Sequence, residues 1–471
     1  FSMTLFLRTN MKFFIDQHGC AKNQTDGELI AGFLIERGYE FTLNADEADF
    51  ILVNSCGFIQ SAKKESIDAV CNIKRAYPKA KLVLTGCLAE RYADNLIEAM
   101  PELDGVFGNG DLSKIADFMD DVSKKKRSAE TFPQKGVCGG ARPVIFNFPG
   151  SAFVKITEGC SNHCSFCAIP LIRGELRSRS EKEILKEIKN LVKDGVYEIN
   201  LIGQDLAAYG TDTGTSLADL LKNITAIPGD FIVRPLYIHP DHFTDDIIEA
   251  IKAGQGRLLP YFDIPFQSGD DNIILAMNRT GSQKQYTALV KKIRRELPGA
   301  ALRTTFLTGF PGETDEAAEN TAAFLQQIRP DWSGCFPYSR EEDTPAYSMK
   351  GRVPAKTAKA RAAHLEELQT AITAEHLEGY VGKELNILVE EIISSDNDEG
   401  LAIGRAWFQA PEVDGSVVIR YELDDQMAVK SVVPGGVVTV KVLASTGVDL
   451  DARFIKNYRK KSEKNERKFI F

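Results

Sequence analysis

The chain has 471 residues, 43% of them hydrophobic and 26% charged, and a formal net charge of −9. That length exceeds one compact core and predicts two to four domains, with three the best division. The ordinary balance of apolar and charged residues excludes a disordered chain, and the net negative charge argues against blanket affinity for nucleic acid. No apolar run approaches the ~20 residues of a membrane span, and the first ten residues lack the layout of a signal peptide. A soluble, cytoplasmic protein with no membrane partner is therefore expected.

Residues 1–10 are read as a start-site artefact outside the fold, because the first strand-like run begins at Met11. From there to about Met119, strand-like and helix-like segments alternate, as in an α/β unit built on a parallel sheet. KFFIDQHGC is strand then loop, and DGELIAGFLIERGY is an amphipathic helix ended by Gly38. DFILVNSCGF and KLVLTGCLAE each repeat a strand that breaks into a loop bearing a cysteine. Ligand sites of open α/β sheets lie beyond the carboxyl ends of the strands. Cys20, Cys56 and Cys87, far apart in sequence, are thus expected to converge on one region.

Residues 123–152 are charged and then rich in Gly and Pro, which reads as a linker with a boundary near 145. Six further strand-like runs follow: AFVKIT, YEINLIG, IVRPLYI, PYFDIPF, LRTTFLTGF and DWSGCFPY. With helical stretches between most of them they predict a partial (β/α)6 barrel, whose chemistry sits at the C-terminal ends of the strands. A long helix from about Ala355 to Leu377 leads into short alternating runs, ELNILVEEII, AIGRAWF, SVVIRY and VVTVKVL, which predict a small antiparallel β-barrel. The expected division is 11–145, 146–377 and 378–446, with 447–471 a solvated basic tail.

Nine cysteines in a chain without an export signal favour metal binding or catalysis over disulfides. Cys160, Cys164 and Cys167 form a C-x3-C-x2-C run directly after the first barrel strand. Three thiolates can hold a four-iron cluster and leave one iron open to substrate or cofactor. The alternative is a zinc site completed by His163 or a distant cysteine, although zinc knuckles usually come in pairs and this triplet stands alone. Cys71, Cys138 and Cys335 read as incidental small thiols.

The stretch EGCSNHCSFCAIPLIRGELRSRS, taken with GCAKNQTDGE, VNSCGFIQSAKKESI, TGCLAERY, LIGQDLAAYG, YIHPDHFTDD, YFDIPFQSGDDNIILAMNRTGS and TTFLTGFPGET, resembles the radical S-adenosylmethionine methylthiotransferases. The C-terminal β region resembles their TRAM domain, so the likeness runs from Met11 to about Thr446. It implies a radical S-adenosylmethionine type of barrel. Cys160, Cys164 and Cys167 would hold a 4Fe–4S cluster that binds S-adenosylmethionine, and Cys20, Cys56 and Cys87 a second, auxiliary 4Fe–4S cluster. In the family chemistry a methylthio group is delivered to an unactivated carbon, which implies sulfur and electron donors as partners.

Gln204, in GQD, and Gly309, Gly312 and Glu313, in GFPGE, follow predicted strands. They are expected to meet the ribose, adenine or amino acid moiety of the cofactor, although each motif alone is a common turn. RGELRSR places Arg173, Arg177 and Arg179 just beyond the cysteine loop, where a guanidinium could pair with a carboxylate. Arg179 is the one assigned to the cofactor; the other reading of each is a solvated charged loop.

The family divides between enzymes that modify adenosines in tRNA and those that modify an aspartate of a ribosomal protein. Residues 378–449 carry five basic and thirteen acidic side chains, a net of −8. An RNA-binding barrel needs a positive face, whereas an acidic one suits a basic protein partner. The expected substrate is ribosomal protein S twelve, modified at the β-carbon of an aspartate; the plainer reading is that the acid excess only keeps the domain soluble. GCAKN, CAIPLIRG, YIHPDH and AIGRAWFQAPEVDG resemble the ribosomal-protein branch. Ser268, in PFQSGD, departs from that branch, where histidine is usual, and the basic tail offers a contact to RNA, so methylthiolation of tRNA is the alternative.

Overall fold

The computed structural model describes residues 11–124, 126–393, 399–459 and 468–469. Residues 1–10 and the lysine-rich segment 460–467 lie outside the described residues.

The first unit runs β1 (Lys12–Gln17), α1 (Ala21–Arg37), β2 (Glu40–Phe41), β3 (Phe50–Ser55), α2 (Gln60–Ala76), β4 (Lys81–Gly86), α3 (Cys87–Ala99), β5 (Gly105–Phe107), α4 (Ile115–Ser123) and β6 (Ser128–Glu130). Its six strands pair in the order β2-β1-β3-β4-β5-β6, all parallel. Every residue of β3 is buried, as expected of a central strand covered on both faces. Gly38 ends α1 at φ 105°, a left-handed cap that suits glycine.

Two expectations change here. Helix α1 is not amphipathic: Lys22, Asn23, Gln24, Thr25, Asp26 and Glu28 are all buried with its apolar residues. One side of α1 packs on its own sheet and the other on the central barrel, so polar residues that periodicity assigns to solvent lie in an interdomain seam. The charged linker likewise supplies the sixth strand, β6, anchored by Arg127, whose Nε donates to Leu103 O at 2.9 Å.

After β7 (Val144–Ile145) come β8 (Ser151–Lys155), β9 (Thr157–Glu158), α5 (Ile169–Arg173), β10 (Arg177–Ser178), α6 (Glu181–Lys193), β11 (Glu198–Ile202), α7 (Leu217–Thr225), β12 (Ile232–Pro235), α8 (Asp245–Ala253), β13 (Tyr261–Asp263), α9 (Asp271–Ala276), α10 (Gln283–Glu296), β14 (Ala301–Thr308), α11 (Asp315–Ile328) and β15 (Trp332–Pro337). The six expected barrel strands are β8 and β11 to β15. They form two parallel sheets, β12-β11-β8 and β13-β14-β15, which meet where Val233 bridges Leu258. The helices close one large apolar core around this open barrel.

The long helix α12 (Ala355–Glu378) leads to β16 (Glu384–Ile393), β17 (Glu399–Arg405), β18 (Val417–Glu422), α13 (Gln426–Ser431), β19 (Val437–Thr446) and β20 (Asp449–Arg459), followed by β21 (Lys468–Phe469). A closed barrel forms in the order β16-β17-β18-β20-β19, antiparallel except for the parallel pair β18–β20. Strand β20 falls within the stretch that composition reads as a solvated tail. Its lysines and arginines mask a strand whose Leu450 and Ala452 fill the barrel core. Beyond residues 460–467, the two-residue strand β21 pairs with β7.

This barrel is docked through buried charge. Glu198, on β11, accepts from Arg234 at 2.7 Å and from Arg405 of β17 at 2.6 Å, and Arg303 pairs with Asp414 at 2.6 Å.

Candidate active site

In the first unit Cys20 follows β1, Cys56 follows β3 and Cys87 is the first residue of α3, directly after β4. These strands are neighbours in a parallel sheet, so their C-terminal ends deliver the three cysteines to one place. The loops touch: a Cβ at Gly19 would lie 3.2 Å from Cys56 Cβ, and one at Gly57 would lie 2.7 Å from the Cys87 carbonyl. Burial pushes the Cys87 thiol up to about 12. Crowding by protein atoms also acts to raise the Cys20 thiol, but the charges of Lys22 and Arg173 outweigh it and leave that group below its ordinary value.

The second triad lies on the loop after β9. Cys160 N donates to Gly174 O at 3.0 Å, Cys167 N to Cys164 O at 3.0 Å, and Ser165 N to Met277 O at 3.0 Å, which fixes the loop against α9. Burial pushes the Cys160 and Cys167 thiols up to about 12, so loading with metal must displace their protons. His163, the zinc alternative, is 58% exposed in its side chain and faces Glu175 at 3.5 Å.

Gly159 sits at φ 70°, and a Cβ there would lie 2.0 Å from Glu175 O. Gly159→Ala is expected to displace Cys160 and to lower any iron uptake by the second triad, which iron quantitation after anaerobic reconstitution will measure.

Among the described residues, the one set of three ligand atoms within 4.8 Å of one another belongs to Asp205, His239 and His242. Neither cysteine triad is that tight, whereas sulfurs around one tetrahedral zinc lie ~3.8 Å apart, from a Zn–S distance of ~2.3 Å.

Beside Cys160 opens a cleft of about 400 Å³, lined among others by Asn162, Leu176, Asp205 and His242. Asp205 Oδ2 accepts from His242 Nδ1 at 2.6 Å and from Asn162 Nδ2 at 3.1 Å, tying the cysteine loop to the ends of β11 and β12. Burial and the Arg279 charge push His239 down to about 4, so its ring is neutral near pH 7. Sequence reasoning quoted YIHPDH without giving these residues a role, because the proximity of Asp205 to His242 is a property of the barrel.

The expected cofactor contacts have different fates. Both side-chain amide atoms of Gln204 are buried without a hydrogen-bond partner, which suits a polar ligand. In GFPGE, Gly309 N donates to Glu313 Oε1 at 2.9 Å and Glu313 pairs with Arg361 at 2.6 Å, so the turn's polar groups are largely satisfied by the chain itself. A Cβ at Gly309 would lie 2.3 Å from Ala358 Cβ of α12, whereas one at Gly312 would meet only open space. Arg179 pairs through Nη1 with Glu187, which also binds the buried Arg142, while its Nε is buried without a hydrogen-bond partner. Arg177 bonds to the Gly136 and Arg173 carbonyls, at 2.6 and 2.9 Å. It is Arg173 that faces inward, reaching Glu158, Asn23, Asp26 and Cys87. Ser268 is 2% exposed and bonds Thr321 and Asp270 N within a turn.

Family models match three segments: Uncharacterized protein family UPF0004 at residues 12–108, the Radical SAM superfamily at 154–325 and the TRAM domain at 381–455. The chain is 52% identical over 465 residues to the ribosomal protein uS12 methylthiotransferase RimO of Treponema denticola, covering 93% of this chain and 99% of that protein. It is 39% identical over 424 residues to the RimO of Natranaerobius thermophilus, covering 87% and 93%. Among solved structures, the radical S-adenosylmethionine methyltransferase TsrM from Kitasatospora setae shares the fold at a TM-score of 0.53, with 13% identity over 72% of this chain and 77% of that one.

Proposed function

This chain belongs to the RimO family of radical S-adenosylmethionine methylthiotransferases, and from that membership we propose that it attaches a methylthio group to the β-carbon of an aspartate of ribosomal protein uS12, using two 4Fe–4S clusters. The observation that carries the reading is the pair of cysteine triads on separate strand ends, joined by α5 and bordered by the cleft at Cys160. Cys160, Cys164 and Cys167 would hold the cluster that binds S-adenosylmethionine, and Cys20, Cys56 and Cys87 the auxiliary one. The cluster and S-adenosylmethionine together would supply radical chemistry able to take hydrogen from an unactivated carbon. Sulfur and electrons come from donors outside the chain.

The chain's own residues bind and orient. Gln204 has unused donors and acceptors for a polar cofactor group, and Gly312 leaves open space where a Cβ would project. Asn162, steadied by Asp205 and His242, holds the shape of the cleft wall. The loop after β15 seals the first unit onto the barrel: Glu341 accepts from Lys63 at 2.6 Å and from Arg91 at 2.8 Å.

The C-terminal barrel supports a basic protein as substrate. Including β20 changes the net charge of the region from −8 to −6, and several of its cations are already neutralised within the chain. Arg405 is buried between Glu198 and Glu390, Arg420 is bound by Glu399 and Asp451, and Arg453 by Glu422. Three of the eight basic groups in residues 378–459 are thus already engaged and less able to track phosphates. The Ser268 departure is confined to a buried turn and weighs little toward tRNA. The test is anaerobic turnover with either purified uS12 or tRNA, followed by mass spectrometry. A methylthio group on an aspartate of uS12 is expected, and product on tRNA alone would overturn the substrate assignment.

A further inference from the structure

Arg173 lies between the two cysteine triads and touches the segments of both. It ends α5, the short helix that starts two residues after Cys167, and α5 packs through Ala168 and Ile172 directly on Cys87. The next carbonyl, of Gly174, accepts from Cys160 N at 3.0 Å. The side chain of Arg173 is 3% exposed. Its Nη1 donates to Glu158 Oε1 at 2.7 Å, and its Nη2 approaches Asn23 Oδ1 at 2.7 Å, Asp26 Oδ2 at 2.8 Å and Cys87 Sγ at 3.2 Å.

The charges around it count out evenly before any sulfur is included. Arg173 and Lys155 stand against Asp26 and Glu158, with Lys155 bonded to both carboxylates. This set is closed, yet Nη2 still reaches the thiol sulfur. Any negative charge on the triad is therefore added beside a guanidinium that donates directly to Cys87 Sγ, with Lys22 a second cation near Cys20. Hydrogen bonds to ligand sulfurs and net charge set the potentials of iron–sulfur clusters, and a charged donor bonds more strongly than a neutral one. Among the three arginines of RGELRSR, this geometry belongs to Arg173 alone.

Resting on the reading that Cys20, Cys56 and Cys87 hold a cluster, we propose that Arg173 is a positioning residue that raises the reduction potential of that cluster through its hydrogen bond to Cys87 Sγ. Arginine suits the task because its planar fork holds Glu158 through Nη1 while Nη2 is shared between Asp26, Asn23 and the sulfur, and it stays charged when buried. Removing the charge leaves Asp26 and Glu158 facing the sulfur with only Lys155 to balance them, which disfavours the added electron of the reduced state.

The test uses full-length protein carrying Cys164→Ala, so that the iron measured belongs to the Cys20, Cys56 and Cys87 triad. Iron content and an EPR-monitored redox titration are compared for that parent and for the same protein with Arg173→Gln or Arg173→Lys. The glutamine variant is expected to keep its iron and to shift the midpoint downward by the equivalent of about tenfold in the oxidised-to-reduced ratio, ~59 mV for one electron. The lysine variant is expected to recover most of the shift. An unmoved midpoint in an iron-replete glutamine variant overturns the proposal. So does loss of iron from the glutamine variant, since Arg173 would then serve cluster assembly. A parent without iron overturns the reading of the triad itself, before any Arg173 variant is considered.

Discussion

Cys56→Ala protein is expected to cleave S-adenosylmethionine at close to the wild-type rate and to form no methylthiolated product. Cys164→Ala is expected to do neither while retaining iron at the other triad. The split follows from the layout. Cys56 lies at the end of β3 in the first unit, bonded through its backbone N to Ser66 of α2 at 3.1 Å, and the loop of Cys160, Cys164 and Cys167 is braced separately by α9 and Gly174. Losing one thiolate should therefore damage its own triad without unfolding the other. Liberated 5′-deoxyadenosine and the mass of the substrate report the two capacities independently. Wild-type yields of product from Cys56→Ala would sink the two-cluster assignment.

The second large effect is on stability. Glu198→Ala is expected to cost about 3–5 kcal/mol, because removing one partner of a buried ion pair leaves the other charge uncompensated. Here Arg234, at 0% exposure, loses the carboxylate it pairs with, Arg405, at 4%, is left with Glu390, and Ser151 loses an acceptor as well. Arg405 comes from β17, so the joint between the two barrels should loosen first, giving early proteolytic cleavage around residues 379–383 and a lower thermal midpoint. The pH dependence has a definite sign. Burial opposes the charge of Glu198, but Arg405 and Arg234 outweigh it and hold the carboxyl well below the usual carboxylate range. Its contribution is complete above the unfolded value of ~4.3 and is lost as pH falls through the depressed folded value. Wild-type protein should therefore show a steeper acid limb than Glu198→Ala in a plot of unfolding free energy against pH.

Local pattern was enough to locate the six barrel strands, the end of α1 at Gly38 and the cysteine-bearing strand ends, because alternation, apolar runs and glycine caps act over a few residues. What it misjudged depends on distant partners. Lys22, Asp26 and Glu28 look like the wet face of α1 until the barrel covers them. The sequence RGELRSR cannot say which arginine turns inward; the choice is made by Asp26 and Asn23, about 150 positions earlier. Glu198 and Arg405 are separated by 207 residues, and no window of sequence contains both. The basic residues of β20 outweighed its alternation because composition was read before period.

The position of β20 has a consequence for how the chain comes into being. It lies between β18 and β19, so the last of the five barrel strands to be synthesised is the one that covers an edge of each. Until it arrives, residues 384–446 emerge as an unfinished sheet with two bare edges, the kind of surface on which one nascent chain recruits another. A chain truncated before Asp449 is therefore expected to aggregate rather than give a shorter working enzyme, which the soluble fraction on expression will measure.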